Sequence, residues 1–397
     1  MRKHTSLLIC AIIAFLLTGC SNVFSEDVTL PITSQTNNGQ ITDEPASGLV
    51  AEQIPFTAIS MPVTTHIQKA DDGAEIFQYS CQRDISLVLP NADAAHKIKL
   101  DFLNRIDSSE SAAKEISNAA VSNYHGGSWT PYLYQVIFEP SRIDYSVVSL
   151  SGRTTVYQGF AHPETNYNSV TYDANTGESL LLSDILLSDT DAETIVKLIN
   201  ESLDEQSETL SLYENYKATV SDRFNKNTFQ DTRWYFSTTG LCFYFSPYEI
   251  APYASGLVIA EIPYEKLTGI LDNAYFPPEL NSSNGSIFAE PFNADMQEQF
   301  TQFAELILDP NGDMVLLHTD QSVQNIRILT GSWSQNGSIF TPEYTIFAAY
   351  SLSPTDAIMV QTELTKNTPS LQITYKANDQ QYSHHIAEIS NNSVGLQ

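Results

Sequence analysis

The stretch "GFAHPETNYNSVTYDANTGESLLLSDIL", residues 159–186, decides the fold that the sequence predicts. Apolar and polar residues alternate on both sides of residues 173–177, which favour a turn, so the stretch predicts a β-hairpin. Upstream, His162 precedes Pro163, and a residue before proline favours extended or turn geometry. A catalytic histidine needs an orienting carboxylate and a nucleophile within reach, and no nucleophile motif accompanies His162. We therefore interpret His162 as part of a structural or ligand-binding loop.

Two segments flanking this stretch have helical periodicity. Apolar residues of 91–121 recur near helical spacing, and Asn91 is a suitable N-cap. The Asp-Ser-Ser run at 107–109 is expected to break this helix in two. A second amphipathic helix is predicted over 192–203. The sequence therefore predicts two main helices.

The remaining segments have the alternation of strands. It is present in residues 54–90, 128–160 and 233–262, with a short helix expected from Tyr264. These patterns predict an α+β fold with a mixed, mainly antiparallel sheet. Beyond a linker, residues 287–397 contain only strand pairs with turns at short intervals, which predicts an all-β C-terminal module.

The turn "DPNGD", residues 309–313, has some features of a calcium-binding loop, because Asp309, Asn311 and Asp313 alternate as in an EF-hand. The glycine stands at the fourth loop position, whereas the sixth is needed and Met314 stands there. A hairpin turn explains the stretch better. The chain also lacks the His-x-x-x-His and Cys-x-x-Cys spacings, so we expect neither a metal site nor a cofactor.

The N-terminal sequence predicts export. Two basic residues and a short apolar run lead to "LTGC", which resembles the lipobox of bacterial lipoproteins. In that pattern residues 1–19 are the signal peptide and Cys20 carries the lipid; the alternative is an uncleaved N-terminal anchor. Both interpretations hold the protein at the cell membrane on its extracytoplasmic face. Residues 20–50, rich in Ser, Thr, Asn, Gly and Pro, are interpreted as a flexible tether.

The composition restricts the partners. The formal net charge is −28, from 47 acidic and 19 basic residues. Such an excess disfavours nucleic acid and favours basic proteins, although solubility alone could explain it. After the signal peptide and Cys20, Cys81 and Cys242 remain. They could form a disulfide in an exported protein or stay as buried free thiols, and their spacing does not decide between these.

A second candidate for binding is "FSPYEIAPYASG", residues 245–256. Its prolines, including Pro247, stiffen the loop and lower the entropy lost on binding. Tyr248 and Tyr253 offer large contact areas with a polar tip. The alternative is a packed cap over the edge of a sheet.

These motifs carry a resemblance to a known family. Gly-x-Ala-His-Pro at 159–163 and the Pro-Tyr-Glu-Ile-x-Pro-Tyr-x-x-Gly element at 247–256 resemble DUF3298, the extracellular domain of RsiV-type anti-sigma factors, which sense lysozyme. Residues 75–155 are similar to DUF4163, its companion domain, also found in PdaC-type peptidoglycan deacetylases. The resemblance covers roughly residues 55–273. It implies a domain that binds, and a lipobox in place of a spanning helix argues against direct anti-sigma action.

We therefore expect a membrane-anchored binding or sensing lipoprotein whose partner is a lysozyme-like cationic protein or cell-wall glycan, that is, peptidoglycan. The alternatives are an envelope polymer-modifying enzyme and a structural envelope lipoprotein without a defined ligand. The predicted organisation is a signal peptide (1–19), a tether (20–50), a DUF4163-like region (51–155), a DUF3298-like region (156–276) and the all-β module (287–397).

Overall fold

The computed structural model describes residues 54–187, 192–226, 233–279, 283–334, 339–364, 370–390 and 393–396. The predicted signal peptide, Cys20 and the predicted tether lie outside the described residues.

The strands, in chain order, are β1 (Ala58–Ser60), β2 (Thr64–Lys69), β3 (Glu75–Cys81), β4 (Ser86–Val88), β5 (Tyr132–Ile143), β6 (Val147–Tyr157), β7 (Glu164–Asp173), β8 (Trp234–Phe236), β9 (Gly240–Phe245), β10 (Val258–Pro263), β11 (Ile287–Pro291), β12 (Gln302–Ile307), β13 (Asp313–Thr319), β14 (Val323–Trp333), β15 (Phe340–Leu352), β16 (Asp356–Thr362), β17 (Leu371–Ala377), β18 (Gln380–Ser390) and β19 (Ser393–Leu396). The α-helices are α1 (Ala92–Asn123), α2 (Leu182–Ile185), α3 (Ala192–Gln206) and α4 (Tyr216–Lys226).

Helix α1 begins where the sequence predicts. The side chain of Asn91 accepts hydrogen bonds from the backbone amides of Asp93 and Ala94, at 3.0 and 3.3 Å. These bonds satisfy amides that have no partner within the helix, so Asn91 fixes the first turn.

The break expected at 107–109 is wrong, because α1 is continuous. The hydroxyls of Ser108 and Ser109 donate to the carbonyls of Arg105 and Ile106, so both serines are accommodated within the helix. Ile106 is fully buried and continues the apolar stripe through this turn. Burial of the stripe therefore outweighs the local preference of Asp-Ser-Ser for a turn.

Helix α1 covers one face of a five-stranded sheet with the order β2-β3-β5-β6-β7. The pairs are antiparallel except β3 with β5, which are parallel. Ile98 and Phe102 of the helix share a buried core with Phe138 and Leu150 of the sheet. The α+β class, with a mixed and mainly antiparallel sheet, is confirmed.

The turn at residues 173–177 forms, but the predicted hairpin is only partly correct. The amide of Gly177 donates to the carbonyl of Asp173 at 2.8 Å. Gly177 has a φ of +75°, and a Cβ there would lie 2.7 Å from the carbonyl oxygen of Ala94, so the turn packs against the start of α1. After it, a single bridge joins Tyr172 to Ser179 and the chain enters α2, so the second strand does not form.

A second core lies under a three-stranded antiparallel sheet with the order β10-β9-β8. Ile195, Ile199 and Leu203 on one side of α3 pack into it, as the apolar spacing of that segment predicts. Helix α4, which the sequence analysis did not predict, adds Val220 and Phe224. The short helix expected from Tyr264 is a 3-10 helix over Tyr264–Leu267.

The C-terminal region is all-β, as predicted. It holds a four-stranded sheet, β11-β13-β16-β12, and a seven-stranded sheet, β19-β18-β17-β14-β15-β1-β4. The last two strands come from the N-terminal region: Ala58 pairs with Ala349, and Phe56 enters the C-terminal core. Gly48–Gln397 accordingly forms one compact unit. The predicted domain boundaries themselves stay a prediction.

Residues 309–313 do not make the predicted hairpin. The turn is present, since the amide of Gly312 donates to the carbonyl of Asp309 at 2.9 Å. However, β12 and β13 do not pair with each other; they flank β16 on its two sides, β12 parallel and β13 antiparallel.

Within the described part of the chain, no helix combines the length and the apolar character needed to cross a membrane.

Candidate functional site

Two loops that are distant in sequence meet at the surface of the protein. The first, residues 158–163, connects β6 to β7. Gly159 has a φ of +83°, which lets the chain reverse, and it lies against the ring of Tyr132. His162 is exposed, and its Nδ1 lies 3.1 Å from the carbonyl oxygen of Pro163. Phe160 is 74% exposed, the highest value among the large apolar side chains described.

The second loop, residues 246–257, connects β9 to β10. Its centre is anchored, because Ile250 and Ala251 are buried in the core under the three-stranded sheet. Tyr248 stands at its tip with a φ of +69°, in the left-handed region that side chains other than glycine rarely adopt. Such a conformation costs about 1–3 kcal/mol and persists only when neighbouring bonds hold it. Here the amide of Tyr248 donates to the carbonyl of Ala251 at 3.0 Å.

Glu249 holds the base of this second loop. One carboxylate oxygen accepts from the amide of Ser246 at 3.0 Å, and the other accepts from Nη1 of Arg233 at 2.9 Å. The same oxygen lies 3.8 Å from Arg223, whose guanidinium stacks 4.8 Å above the ring of Phe245. A charge-assisted network therefore fixes the loop to the strands beneath it.

The two loops bring three side chains together, with Tyr253 between the other two in the order of contact; we call them the aromatic row: His162, Tyr253 and Tyr248. The ring centroids of His162 and Tyr253 are 4.9 Å apart, and those of Tyr253 and Tyr248 are 5.5 Å apart. The ring planes of the two pairs are tilted by 34° and 31°, respectively. The Tyr253 hydroxyl lies 3.5 Å from Nδ1 of His162, at the limit of a hydrogen bond, so ring packing holds the pair.

The aromatic row faces solvent although its rings touch. Tyr248 is 66% exposed and Tyr253 is 43% exposed. Exposed aromatic rings whose positions are fixed by packing and strained backbone are typical of surfaces that bind, since little entropy remains to be lost. Three of the predicted binding residues thus come together, and Pro247 lies in the same loop. The sequence did not point to Phe160 as a binding residue. Its position between Gly159 and Pro163, an apolar residue in a predicted turn, is the signal that could have identified it.

The two cysteines lie in different sheets. Cys81 is buried beneath α1, whereas Cys242 is in β9, and both are free thiols in this structure. Burial, together with the nearby Glu261 carboxylate, raises the pKa of Cys242 to about 12, so it stays a protonated, unreactive thiol. Cys20 lies outside the described residues.

No group of three or more His, Cys, Asp or Glu side chains suited to a metal occurs among the residues that the structure describes. At the aromatic row itself, the imidazole and two phenols offer ring faces and hydrogen-bonding tips.

The fold is α+β, and its central segment matches a family. Residues 183–265 match the DUF3298 model, described as a protein of unknown function. The matched segment runs from α2 to the 3-10 helix after β10, so it includes Tyr248 and Tyr253, whereas His162 lies before it. The predicted resemblance to DUF3298 is confirmed for these residues; the resemblance to DUF4163 stays a prediction.

Solved structures with some similarity belong to the same family. A DUF3298 family protein from Pseudomonas aeruginosa PAO1 is 16% identical with a TM-score of 0.39, covering 58% of this chain and 99% of its own. A member from Bacteroides fragilis is 15% identical with a TM-score of 0.38, covering 54% of this chain and 94% of its own. No curated protein matches the chain.

Proposed function

We propose that this chain is an extracytoplasmic binding lipoprotein, held at the membrane by lipid on Cys20, whose aromatic row contacts a cationic protein such as lysozyme. The observation that supports this most strongly is the meeting of His162 and Tyr253 from two separate loops in an exposed, preformed row. The three residues of the row belong to none of the three hydrophobic cores, and their side chains are exposed to solvent.

Short-range attraction comes from the rings. Lysine and arginine side chains pack on the faces of tyrosine, and each such contact contributes about 0.5–1 kcal/mol at exposed sites and more where water is excluded. Tyr248 and Tyr253 each present a ring with a fixed orientation. A basic partner can therefore place cationic side chains on the row without ordering it first.

Long-range attraction comes from the charge. With 47 acidic and 19 basic residues, the chain produces a negative field that draws basic proteins toward it. Steering of this kind raises the association rate more than the final affinity, and salt weakens it. The screening length is about 30 Å at 0.01 M salt and about 8 Å at 0.15 M.

The test is calorimetric titration of the chain from Gly48 onward, which forms one compact unit, with lysozyme. Succinylated lysozyme is the matched control, since it keeps the shape but exchanges ammonium groups for carboxylates. We expect binding of native lysozyme that weakens between roughly 10 mM and 150 mM salt, and no binding of the succinylated form. Equal binding of both forms, or no binding of the native form at low salt, would reject a cationic partner.

Cell-wall glycan is the second candidate, because the flat faces of exposed tyrosine rings also suit sugar rings. Sedimentation of the protein with purified peptidoglycan sacculi is its test. Retention on sacculi that is abolished by Tyr253→Ala, without any binding of lysozyme, would favour the glycan over the protein partner.

A further inference from the structure

A separate pocket lies between the five-stranded and the three-stranded sheets. Its volume is about 140 Å³, close to the roughly 150 Å³ of a cavity that accommodates benzene. Strands β5, β6 and β7 form one wall, and β8, β9 and β10 form the other. Its lining includes two charged residues, two tyrosines and two isoleucines: Glu139, Arg153, Tyr235, Tyr244, Ile137 and Ile259. We call it the inter-sheet pocket.

Arg153 brings a cation into this pocket. Its Nη1 lies 3.4 Å from Oε1 of Glu139, a long single contact rather than a bidentate pair. Its guanidinium also lies 5.6 Å from the centroid of the Tyr344 ring. Within the described ranges the side chain of Arg153 makes no other hydrogen bond, so most of its guanidinium donors remain available. A guanidinium with donors to spare is suited to a carboxylate.

Glu139 brings an anion to the same place. Its Oε2 accepts from the backbone amide of Thr345 at 3.3 Å, which fixes the carboxylate while Oε1 faces Arg153. The two side chains are about one third exposed, at 35% for Arg153 and 32% for Glu139, so a ligand can reach both. A simple anion would be repelled by the carboxylate of Glu139, and a simple cation would be repelled by the guanidinium of Arg153.

Most of the remaining wall is apolar or aromatic, with Ser151 and Asn168 as its polar side chains. Ile137 of β5 is buried, Ile259 belongs to β10, and the rings of Tyr235 and Tyr244 are 6.2 Å apart. Burial raises the pKa of Tyr235 far above its usual value, so its hydroxyl keeps its proton. The pocket therefore offers an apolar surface for the body of a ligand, next to one positive and one negative side chain.

We propose that the inter-sheet pocket binds a free α-amino acid as its zwitterion. The carboxylate pairs with Arg153, the ammonium pairs with Glu139, and a small side chain packs between Ile137 and Ile259. This site uses none of the aromatic row, so it is independent of the proposed partner binding. The volume favours small apolar amino acids over large ones.

The experiment titrates the chain from Gly48 onward with glycine, alanine, valine, leucine and phenylalanine, up to about 10 mM, a range that covers millimolar dissociation constants. Valine is compared with isovalerate, which lacks the ammonium, and with isobutylamine, which lacks the carboxylate. We expect at least one small amino acid to bind, and valine to bind at least tenfold more tightly than either analogue. If none of the five binds, or if isovalerate equals valine, the proposal is wrong.

Variants locate the site. Arg153→Gln and Glu139→Gln should each weaken binding at least tenfold, because each removes one charged partner. Arg105→Gln removes an arginine that pairs with Asp101 on α1, and it should leave binding unchanged. Binding that survives both pocket variants would place the amino acid elsewhere and overturn the assignment. Circular dichroism of each variant separates a lost site from a lost fold.

Discussion

Replacing Arg142 with methionine should destabilise the whole described unit. Arg142 is fully buried at the end of β5, and Nε donates to Oδ2 of Asp144 at 2.6 Å. Nη1 donates to the hydroxyl of Tyr264 at 2.8 Å and to the carbonyl of Tyr275 at 2.6 Å, and Nη2 donates to the hydroxyl of Ser146 at 3.1 Å. This one side chain thus joins the five-stranded sheet to the segment after the three-stranded sheet.

The magnitude follows from what the substitution leaves behind. Asp144 is also fully buried, so Arg142→Met leaves a carboxylate without its cation. Breaking a buried pair from one side costs about 3–5 kcal/mol. That is a large part of the 5–15 kcal/mol by which most proteins are stable. Lys97→Met removes an exposed ion pair to Glu178, and it should cost less than about 1 kcal/mol.

The double variant isolates the charge. In Asp144→Asn, Oδ1 can still accept from the amides of Ser146 and Val147, as it does now at 2.8 and 3.0 Å. Only the oxygen that faces Arg142 changes. The cost of the double variant should therefore be below the sum of the two single costs by about 1–3 kcal/mol.

The assay is urea unfolding followed by tryptophan fluorescence and by circular dichroism, with the free energy of unfolding from linear extrapolation. Both probes should report one transition, because Arg142 couples parts that belong to one compact unit. A cost under 1 kcal/mol for Arg142→Met, or strictly additive costs in the double variant, would refute this reasoning.

Three further predictions concern the loop, the turn and the anchor. Glu249→Gln should lower the free energy of unfolding by about 1.5–3 kcal/mol in urea melts, because the charge-assisted bond with Arg233 is lost. An unchanged midpoint would contradict the role of Glu249 in fixing the loop. Gly177→Ala should cost more than about 1 kcal/mol, since a Cβ would meet the carbonyl of Ala94 at a positive φ, and a neutral melt would contradict this. Cys20→Ala should abolish palmitate labelling and either release the protein from membranes or leave the precursor unprocessed, and undiminished labelling would disprove the lipobox.

Local patterns predicted the elements that local physics controls. Asn91 and a periodic apolar stripe identified α1, and the alternation of residues 233–262 identified β8 to β10. Of the hairpin predicted around residues 173–177, the turn forms but the second strand does not, because the apolar run Leu180 to Leu182 also suits a helix that buries Leu182 and Ile185. A short apolar run does not distinguish the two by period alone.

Long-range pairing could not be read from the sequence. Ala58 pairs with Ala349 across almost the whole chain, and nothing in either strand specifies the other. The hairpin predicted at residues 309–313 was wrong for the same reason. Strands β12 and β13 are adjacent in sequence, but β16 lies between them in the sheet.

The site was predicted as separate residues rather than as a surface. Gly159, Pro163 and the two Pro-Tyr pairs revealed ordered loops, which pointed to His162, Tyr248 and Tyr253. That His162 touches Tyr253, 91 residues further along the chain, depends on how two sheets pack. The inter-sheet pocket was missed for the same reason, since its walls come from six strands.

The binding role of the aromatic row is tested by the dissociation constants with which the Tyr248→Ala and Tyr253→Ala variants bind lysozyme. Each substitution at the centre of an interface should cost about 2 kcal/mol, which weakens binding roughly thirtyfold. Tyr382→Ala is the matched control, because this tyrosine is also exposed but lies on β18. A thirtyfold loss in both row variants and none in the control is the predicted result. Binding that both row variants leave intact, or that Tyr382→Ala weakens equally, would contradict the account.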